Sequence, residues 1–350
     1  MKTPTLVSLL LGSSALVSAK GHNRPRREKG LEEYAAVSLL DTACETEFHP
    51  DQLDIAWVEL IASNTILRVN LTSGEQTRFP LNNPVGLPSG MEFLADGNLW
   101  FSEVVGNSMV KLDPKDGSMT EYPFPWTNIS VLDNLPAGIR VTIDVAGGRD
   151  RGAWFTSYDL YPLPNPLSAP LIIQAGPGDT MVFSEILGNR VGTIDVNTKE
   201  IKEYEIPTPL SLVQGVATDK DGLIWWTGTG GSNFGTVDVT TGEVTEMFIA
   251  DIRAAGNSTV VDEGLISIGS SGALALPGPV RVGNDGKVYF VEGNLVFLGN
   301  RVAQYDPKTQ QLVEYVTPTS LSAPCDLNNQ HPDAIFFAEF TGGHLGRLNY

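Results

Sequence analysis

The chain has little of what many active sites are built from. It holds two cysteines and four histidines in 350 residues. Zinc-ligand spacing, a phosphate-binding Walker loop, a dinucleotide fingerprint and a nucleophile elbow are all missing, which removes the chemistries those motifs carry. The glycine-rich run Gly228–Gly231 falls between two strand-like segments and not before a helix, so it does not cradle phosphate. Positive charge is also scarce. Lys and Arg number 23 against 41 Asp and Glu, a formal net charge of −18. Residues 1–30 carry six of the basic residues and one acidic residue, which leaves 17 basic and 40 acidic in residues 31–350, a net of −23. Such a surface repels nucleic acid and anionic membranes. Beyond the N-terminus no apolar run is long enough to span a bilayer.

What is present begins with a targeting signal. Lys2 starts it, Leu6 to Val17 is a short apolar stretch, and Val17-Ser18-Ala19 is a small-residue cleavage site. Residues 1–19 are therefore expected to be a secretory signal peptide. Residues 20–30 form a basic leader or pro-segment with Arg26-Arg27 inside it. Three acceptor sequons begin at Asn70, Asn128 and Asn257, which fits a secreted glycoprotein. The mature protein is expected to be an extracellular monomer that binds a small molecule, with neither nucleic acid nor membrane as a partner.

Residues 31–350 carry a repeat. Its clearest copy is PSGMEFLADGNLWFSEVVGNSMVKLDPKDGSMTEYPFP, from Pro88 to Pro125. Trp57 to Trp100 and Val182 to Trp225 are both steps of 43 residues. A period of about 40–50 residues with four strand-like runs per unit is the signature of a β-propeller. Asp96-Gly97 and Asp113–Gly117 supply the positive-φ positions of tight hairpins. The 36 glycines and 23 prolines suit a chain that turns this often. Second-strand anchors recur at Trp57-Val58, Trp100-Phe101, Trp154-Phe155, Val182-Phe183, Trp225-Trp226, Tyr289-Phe290 and Phe336-Phe337. The expected fold is a single all-β domain, a seven-bladed propeller. The step from Trp154 to Val182 is only 28 residues, so the third blade is expected to be degenerate.

The ends of the chain suggest how the ring closes. Outer strands contain Glu121-Tyr122, Glu203-Tyr204 and Glu314-Tyr315, and Glu33-Tyr34 repeats that pair near the N-terminus. That segment is expected to supply the outer strand of the last blade, removing an open sheet edge. Cys44 and Cys325 begin matching segments of blades one and seven. In a secreted protein an even pair points to a disulfide; two buried thiols are the alternative.

The stretch DGNLWFSEVVGNSMVKLDPKDGSMTEYPFP resembles the repeat of the virginiamycin B lyase family. The resemblance spans roughly Trp57 to Tyr350. It implies a seven-bladed propeller that opens a cyclic depsipeptide by elimination across an ester C–O bond, with a histidine base and a divalent metal, usually magnesium, at the channel mouth. The family's histidines follow a proline at the start of inner strands. The matching positions here are Ser89, Ala137, Leu171, Gln214, Gly278 and Cys325, and the glutamate expected before the last of them is Ala323. The family's base is absent, so streptogramin lyase activity itself is not expected.

Other residues could carry chemistry. His49 and His331 lie in matching His-Pro-Asp turns and suit a structural role. His344 is the one histidine kept as a candidate base, since imidazole suits proton abstraction near neutral pH. Glu59, Glu103, Glu185, Glu292 and Glu339 all close second strands. A rim of such carboxylates could bind magnesium or calcium, chiefly through Glu103, Glu185, Glu292 and Glu339. Crowding could instead raise one pKa enough for acid–base work, with Glu103 and Glu185 as candidates. The competing reading is a repeated structural fastening with no cofactor. Glu92 is not a repeat residue and is a further catalytic candidate. Trp126, Tyr158, Tyr161, Gln214 and Trp226 are candidates for binding substrate. Three long connections, Trp126–Pro136, Tyr158–Pro170 and Ala250–Pro277, are expected to gather on one face.

Together these features point to a lyase-like enzyme acting on a small natural product by non-redox elimination, ring opening or cyclisation. A non-catalytic ligand- or protein-binding propeller and a gluconolactonase-type lactone hydrolase are the alternatives.

Overall fold

The computed structural model describes residues 26–28, 30–34, 41–124, 144–156, 163–165, 168–261, 275–293, 299–319 and 322–350. They form an all-β propeller. Antiparallel hairpins follow one another along the chain, and each sheet is built largely from consecutive strands. The first sheet contains Ala43–His49, Gln52–Leu60, Thr65–Asn70 and Gln76–Pro80. The second contains Pro88–Phe93, Leu99–Glu103, Ser108–Leu112 and Met119–Pro123. Among the described residues the third has two strands, Val145–Gly147 and Ala153–Phe155. The fourth and fifth have four strands each and begin with Pro170–Ala175 and Val213–Thr218. The sixth and seventh begin with Pro277–Val282 and Pro324–Asn328.

Two sheets recruit strands from elsewhere. Ser258–Val261 lies parallel to Gln311–Val316 as a fifth strand of the sixth sheet. Leu31–Tyr34 pairs antiparallel with Leu345–Asn349 in the seventh, with Leu31 opposite Leu348 and Glu33 opposite Gly346. The one helix among the described residues is short, Ile249–Ala254.

The core sits between sheets. Trp57 and Ile66 of the first sheet pack against Met91, Phe93 and Phe101 of the second. Trp225 and Phe234 of the fifth pack against Phe290 and Tyr305 of the sixth. Phe48 and Val58 meet Phe336 and Ala338, which joins the last sheet to the first. Complete burial of a side chain such as Phe336 contributes roughly 1.5–3 kcal/mol. The disulfide Cys44–Cys325 crosses the same seam, with a Cα–Cα distance of 4.9 Å and a sequence separation of 281. No described helix is long and apolar enough to cross a membrane.

Candidate active site

The first strand of each sheet lines the axis of the ring. Six of these strands share one irregularity, a register shift two or three residues from the start. It lies between Ala43 and Thr46, Ser89 and Met91, Pro170 and Ile173, Val213 and Gly215, Pro277 and Val280, and Pro324 and Leu327. A bulge frees backbone groups that a ladder would have paired. Second-strand hydroxyls take up several of them. Ser102 Oγ donates to the Ser89 carbonyl, Thr156 Oγ1 donates to Leu171 O at 2.9 Å, and Thr227 Oγ1 donates to Gly278 O at 2.6 Å. Gly90 has φ +64°, and a Cβ there would lie 2.5 Å from Asp144 Cα. Only glycine lets the second and third inner strands approach this closely.

Carboxylates connect successive inner strands across the gaps between blades. Glu45 Oε2 accepts the Met91 N–H at 2.6 Å. Glu92 Oε2 accepts the Gly147 N–H at 2.7 Å. Asp144 accepts from Val145 N at 2.9 Å and from Ile173 N at 2.8 Å. Arg281 Nη2 donates to Asp326 Oδ2 at 2.9 Å. Asn328 Nδ2 and Gln330 Nε2 donate to the two oxygens of Glu47 at 3.0 and 2.6 Å. Inner strands of different sheets share no hydrogen-bonded ladder, so their free N–H groups need acceptors from the channel wall. Among the described residues, Glu47, Glu92 and four further carboxyls share this channel wall with one buried cation, Arg281.

Those four are Glu45, Glu59, Asp144 and Asp326, which influence one another electrostatically. Burial is the main cause of raised pKa values here. It pushes Glu45 and Glu59 well above the carboxylate range, and their acidic neighbours add to it. Burial also raises Asp144 to about 7 and lifts Asp326, although Arg281 opposes both shifts. Three channel oxygens have no hydrogen-bond partner: both of Glu59 and Oδ1 of Asp326. The Glu45 backbone N–H opposes the upward shift of Glu59. A cluster in which some carboxyls are protonated and others ionised near neutral pH can both give and take a proton.

Glu59 does not stand where the repeat places it. Ala43 pairs with Leu60, just as Pro88 pairs with Glu103 and Pro324 with Glu339. Glu59 therefore corresponds to Ser102, one residue earlier, and a one-residue shift in a strand turns a side chain to the other face. It enters the channel, where sequence comparison alone had assigned it to the rim.

The remaining strand-end glutamates do not converge on one another. Each interacts with the third and outer strands of its own sheet. Glu103 accepts from Ser108 Oγ at 2.7 Å and feels Glu121; Glu185 feels Glu203 and Arg190; Glu292 contacts Arg253 and feels Glu314. Burial raises Glu185 to about 7 and raises Glu103 more modestly. Glu103, Glu185 and Glu292 thus face groups of their own sheets, and among the described residues no set of three of Glu103, Glu185, Glu292 and Glu339 has metal-ligand spacing. His344 lies beside Glu339 at 3.4 Å and is grouped with Glu33 of the N-terminal strand.

The candidates for binding substrate are dispersed too. Trp226 is fully buried between the fourth and fifth sheets with Val182, Val191 and Val216, so it packs the core and lines no pocket. Its ring lies over Gly235, where a Cβ would come within 2.9 Å of Cζ2. Gln214 is on the channel wall and accepts from Thr229 Oγ1 at 2.7 Å. Trp126, Tyr158 and Tyr161 lie outside the described residues, as does the sequon at Asn128. Asn70 and Asn257 are half-buried, and Asn70 Oδ1 caps its own turn at Thr72 and Ser73. His49 and His331 each accept a backbone N–H two residues on, from Asp51 and Asp333, and so hold turns. A separate apolar groove of about 280 Å³ opens beside the two described strands of the third sheet, lined by Trp154, Phe155, Phe183 and Ile194 among others.

A model of the virginiamycin B lyase family matches residues 41–264. The chain belongs to this family. Virginiamycin B lyase from Staphylococcus aureus is 22% identical, with a TM-score of 0.73 over 91% of this chain and 99% of that one. A catalytically inactive histidine-to-alanine variant of the lyase from that organism, with quinupristin, gives 21% identity and a TM-score of 0.72 over 91% and 99%. A gluconolactonase from Xanthomonas campestris gives 16% identity and a TM-score of 0.50 over 91% and 89%. No curated protein matches the chain in sequence. At these identities the solved structures speak for the fold alone. The family's histidine and metal site does not fit this chain. Ser89, Leu171, Gln214, Gly278 and Cys325 are the second residues of inner strands, and Ala323 precedes the last of these strands. These side chains supply neither the imidazole nor the carboxylate that such a site needs.

Proposed function

We propose that this chain is a secreted member of the family in which channel carboxyls replace the histidine as acid and base. Its substrate would be a small, neutral or cationic natural product, and the reaction a non-redox elimination, ring opening or cyclisation. The observation that carries this reading is the channel cluster of Glu45, Glu59, Asp144 and Asp326, in which no side chain is hydrogen-bonded to either Glu59 oxygen. In an elimination, an ionised carboxylate takes the proton from the carbon next to the breaking C–O bond. A protonated neighbour then gives its proton to the departing oxygen. Asp144, raised to about 7 and accepting two backbone N–H groups, suits the first role, and Glu59, held well above the carboxylate range, keeps the proton for the second. Excess negative charge in the channel disfavours anionic substrates.

We take the propeller to have seven blades, the third represented by two strands among the described residues. Supporting this, each of the seven packed clusters joins neighbouring sheets or the last to the first. Pairing of Leu31–Tyr34 with Leu345–Asn349 supports closure by the N-terminal strand. Export is favoured by the signal-like N-terminus and the disulfide.

The test is turnover of a panel of cyclic depsipeptides, lactones and polyene precursors by the wild type, E59Q and D144N, read by mass spectrometry. Elimination and cyclisation leave the mass unchanged, whereas a lactone hydrolase adds one water. Product of unchanged mass that disappears with E59Q supports the reading. Product carrying an added water moves the assignment to the hydrolase. Turnover that survives both substitutions overturns the role of the cluster.

A further inference from the structure

One position recurs in the sheets whose second strand closes with glutamate, and its occupant differs: Ser108 in the second sheet, arginine in the fourth and sixth, and His344 in the seventh. The residue that opens the third strand faces the glutamate that closes the second. In the fourth sheet it is Arg190, opposite Glu185 and 3.7 Å from Glu203 of the outer strand. In the sixth it is Arg301, opposite Glu292 and 3.1 Å from Glu314. Both arginines sit between two carboxylates and supply a permanent positive charge. The seventh sheet keeps the carboxylates, Glu339 and Glu33, but the residue between them is His344. Its register is the same: Glu33 lies opposite Gly346, as Glu314 lies opposite Ala303 and Glu203 opposite Gly192.

Glu33 and Glu339 bring two buried carboxyls together at this position. Glu339 is fully buried, and neither of its oxygens has a hydrogen-bond partner. Glu33 is 3% exposed and is held by Thr319, whose N–H and Oγ1 donate to its two oxygens at 2.8 and 3.0 Å. His344 Nδ1 is 3.4 Å from Glu339 Oε2 and 3.3 Å from Thr319 Oγ1. One ligand atom from each of Glu33, Glu339 and His344 lies within 4.8 Å of the others. Two ligands of a tetrahedral ion with bonds of about 2.0–2.2 Å are about 3.3–3.5 Å apart. The His344–Glu339 separation already matches that spacing, and the imidazole is a quarter exposed, which leaves a side open to solvent.

We infer that Glu33, Glu339 and His344 form a binding site for a divalent transition-metal ion of the zinc class, which takes the place held by arginine in the fourth and sixth sheets. One imidazole nitrogen and two carboxylate oxygens suit zinc or manganese better than calcium, which prefers more oxygen ligands. The ion would be structural, because Glu33 belongs to the N-terminal strand and Glu339 and His344 to the last sheet. It would tie the N-terminal strand to the last sheet.

Zinc binding to the chelator-treated full chain, by calorimetry and metal analysis, tests the inference, alongside melting with zinc or EDTA. Three variants are compared with the wild type: H344A, E339Q and H344R. The expected result is one equivalent of zinc on the wild type and a Tm rise of roughly 3–6 °C at about 100-fold excess over Kd. H344A and E339Q should lose both. H344R installs the cation used at Arg190 and Arg301, so it should fold and melt independently of zinc and EDTA. Absence of zinc binding by the wild type, or equal binding by H344R, overturns the assignment.

Discussion

Glu59 and Ser102 occupy the same register position on the second strands of adjacent sheets, and they do opposite things there. Ser102 closes a bulge by donating to the Ser89 carbonyl. Glu59 is longer and reaches the channel, where its carboxylate meets other acids and no hydrogen-bond partner. A hydroxyl at this position secures the fold. A carboxyl there costs stability and is retained where it is useful. At pH 8, E59Q should therefore be more stable than the wild type by about 1–3 kcal/mol. At pH 5, where the raised pKa keeps Glu59 protonated, the gain should vanish. Urea unfolding at the two pH values checks this, and equal gains at both would count against a buried ionisable Glu59.

The acidic channel also sets the overall pH dependence. Glu45, Glu59 and Asp144 have folded-state pKa values above those of the unfolded chain, chiefly through burial. The folded state thus holds more protons than the unfolded one, and their contribution falls as pH rises. For Asp144 that window runs from its unfolded value near 4 to about 7. Exposed Asp195 and Asp238 act in the opposite sense. Hydrogen bonds from Thr198 and Thr240 hold them below the ordinary range, and their contribution is lost as pH falls through that range. Stability should therefore peak in mildly acidic solution, at roughly pH 4–5, and decline towards pH 8. Tm measured against pH should show this slope, and D144N should flatten it between about pH 5 and 7.

Reduction should be costly. The Cys44–Cys325 bridge encloses a loop of 281 residues in sequence separation. In the chain-entropy model such a constraint is worth up to about 5 kcal/mol. The C44S/C325S double variant should lose several kcal/mol in guanidinium unfolding, and reductant should destabilise the wild type but not the variant. A wild type indifferent to reductant would show that packing of Phe48 and Phe336 alone holds the seam.

Leu31 tests the N-terminal strand without altering charge. It is 1% exposed and packs with Tyr289, Val302, Leu327 and Leu348. L31A should cost about 2–5 kcal/mol. Because the strand also covers the edge of Leu345–Asn349, the variant should form more high-mass species on gentle heating, seen by light scattering. Destabilisation without association would mean that the edge is protected by something other than this strand.

Much of the fold was legible in the sequence because blades repeat the same local physics. Each aromatic or apolar anchor pair, from Trp57-Val58 to Phe336-Phe337, lies in the second strand of its sheet. The Asp-Gly turns and the short third unit are visible as composition and spacing. The N-terminal strand was legible too, because Glu33-Tyr34 copies the outer-strand pattern. The channel cluster was not. Glu45, Asp144 and Asp326 come from the first, third and seventh sheets and share no motif; only the ring brings them close. Glu92 stood out as a departure from the repeat, and it does lie on the channel wall. Glu59 was misplaced because alignment by anchor residues cannot detect a slip of one position. His344 was noticed as a rare residue type, but its partner Glu33 arrives from the far end of the chain.

Pairing of Leu31–Tyr34 with Leu345–Asn349 has a consequence for biosynthesis. A nascent chain emerges N-terminus first, and most of its hairpins can form as they leave the ribosome. This one cannot. Leu31–Tyr34 can pair early with Arg26–Glu28, but its other edge must wait until nearly all of the remaining sheets have been made. One sheet therefore joins residues made some three hundred positions apart, and its central pairing forms only after translation has passed residue 349.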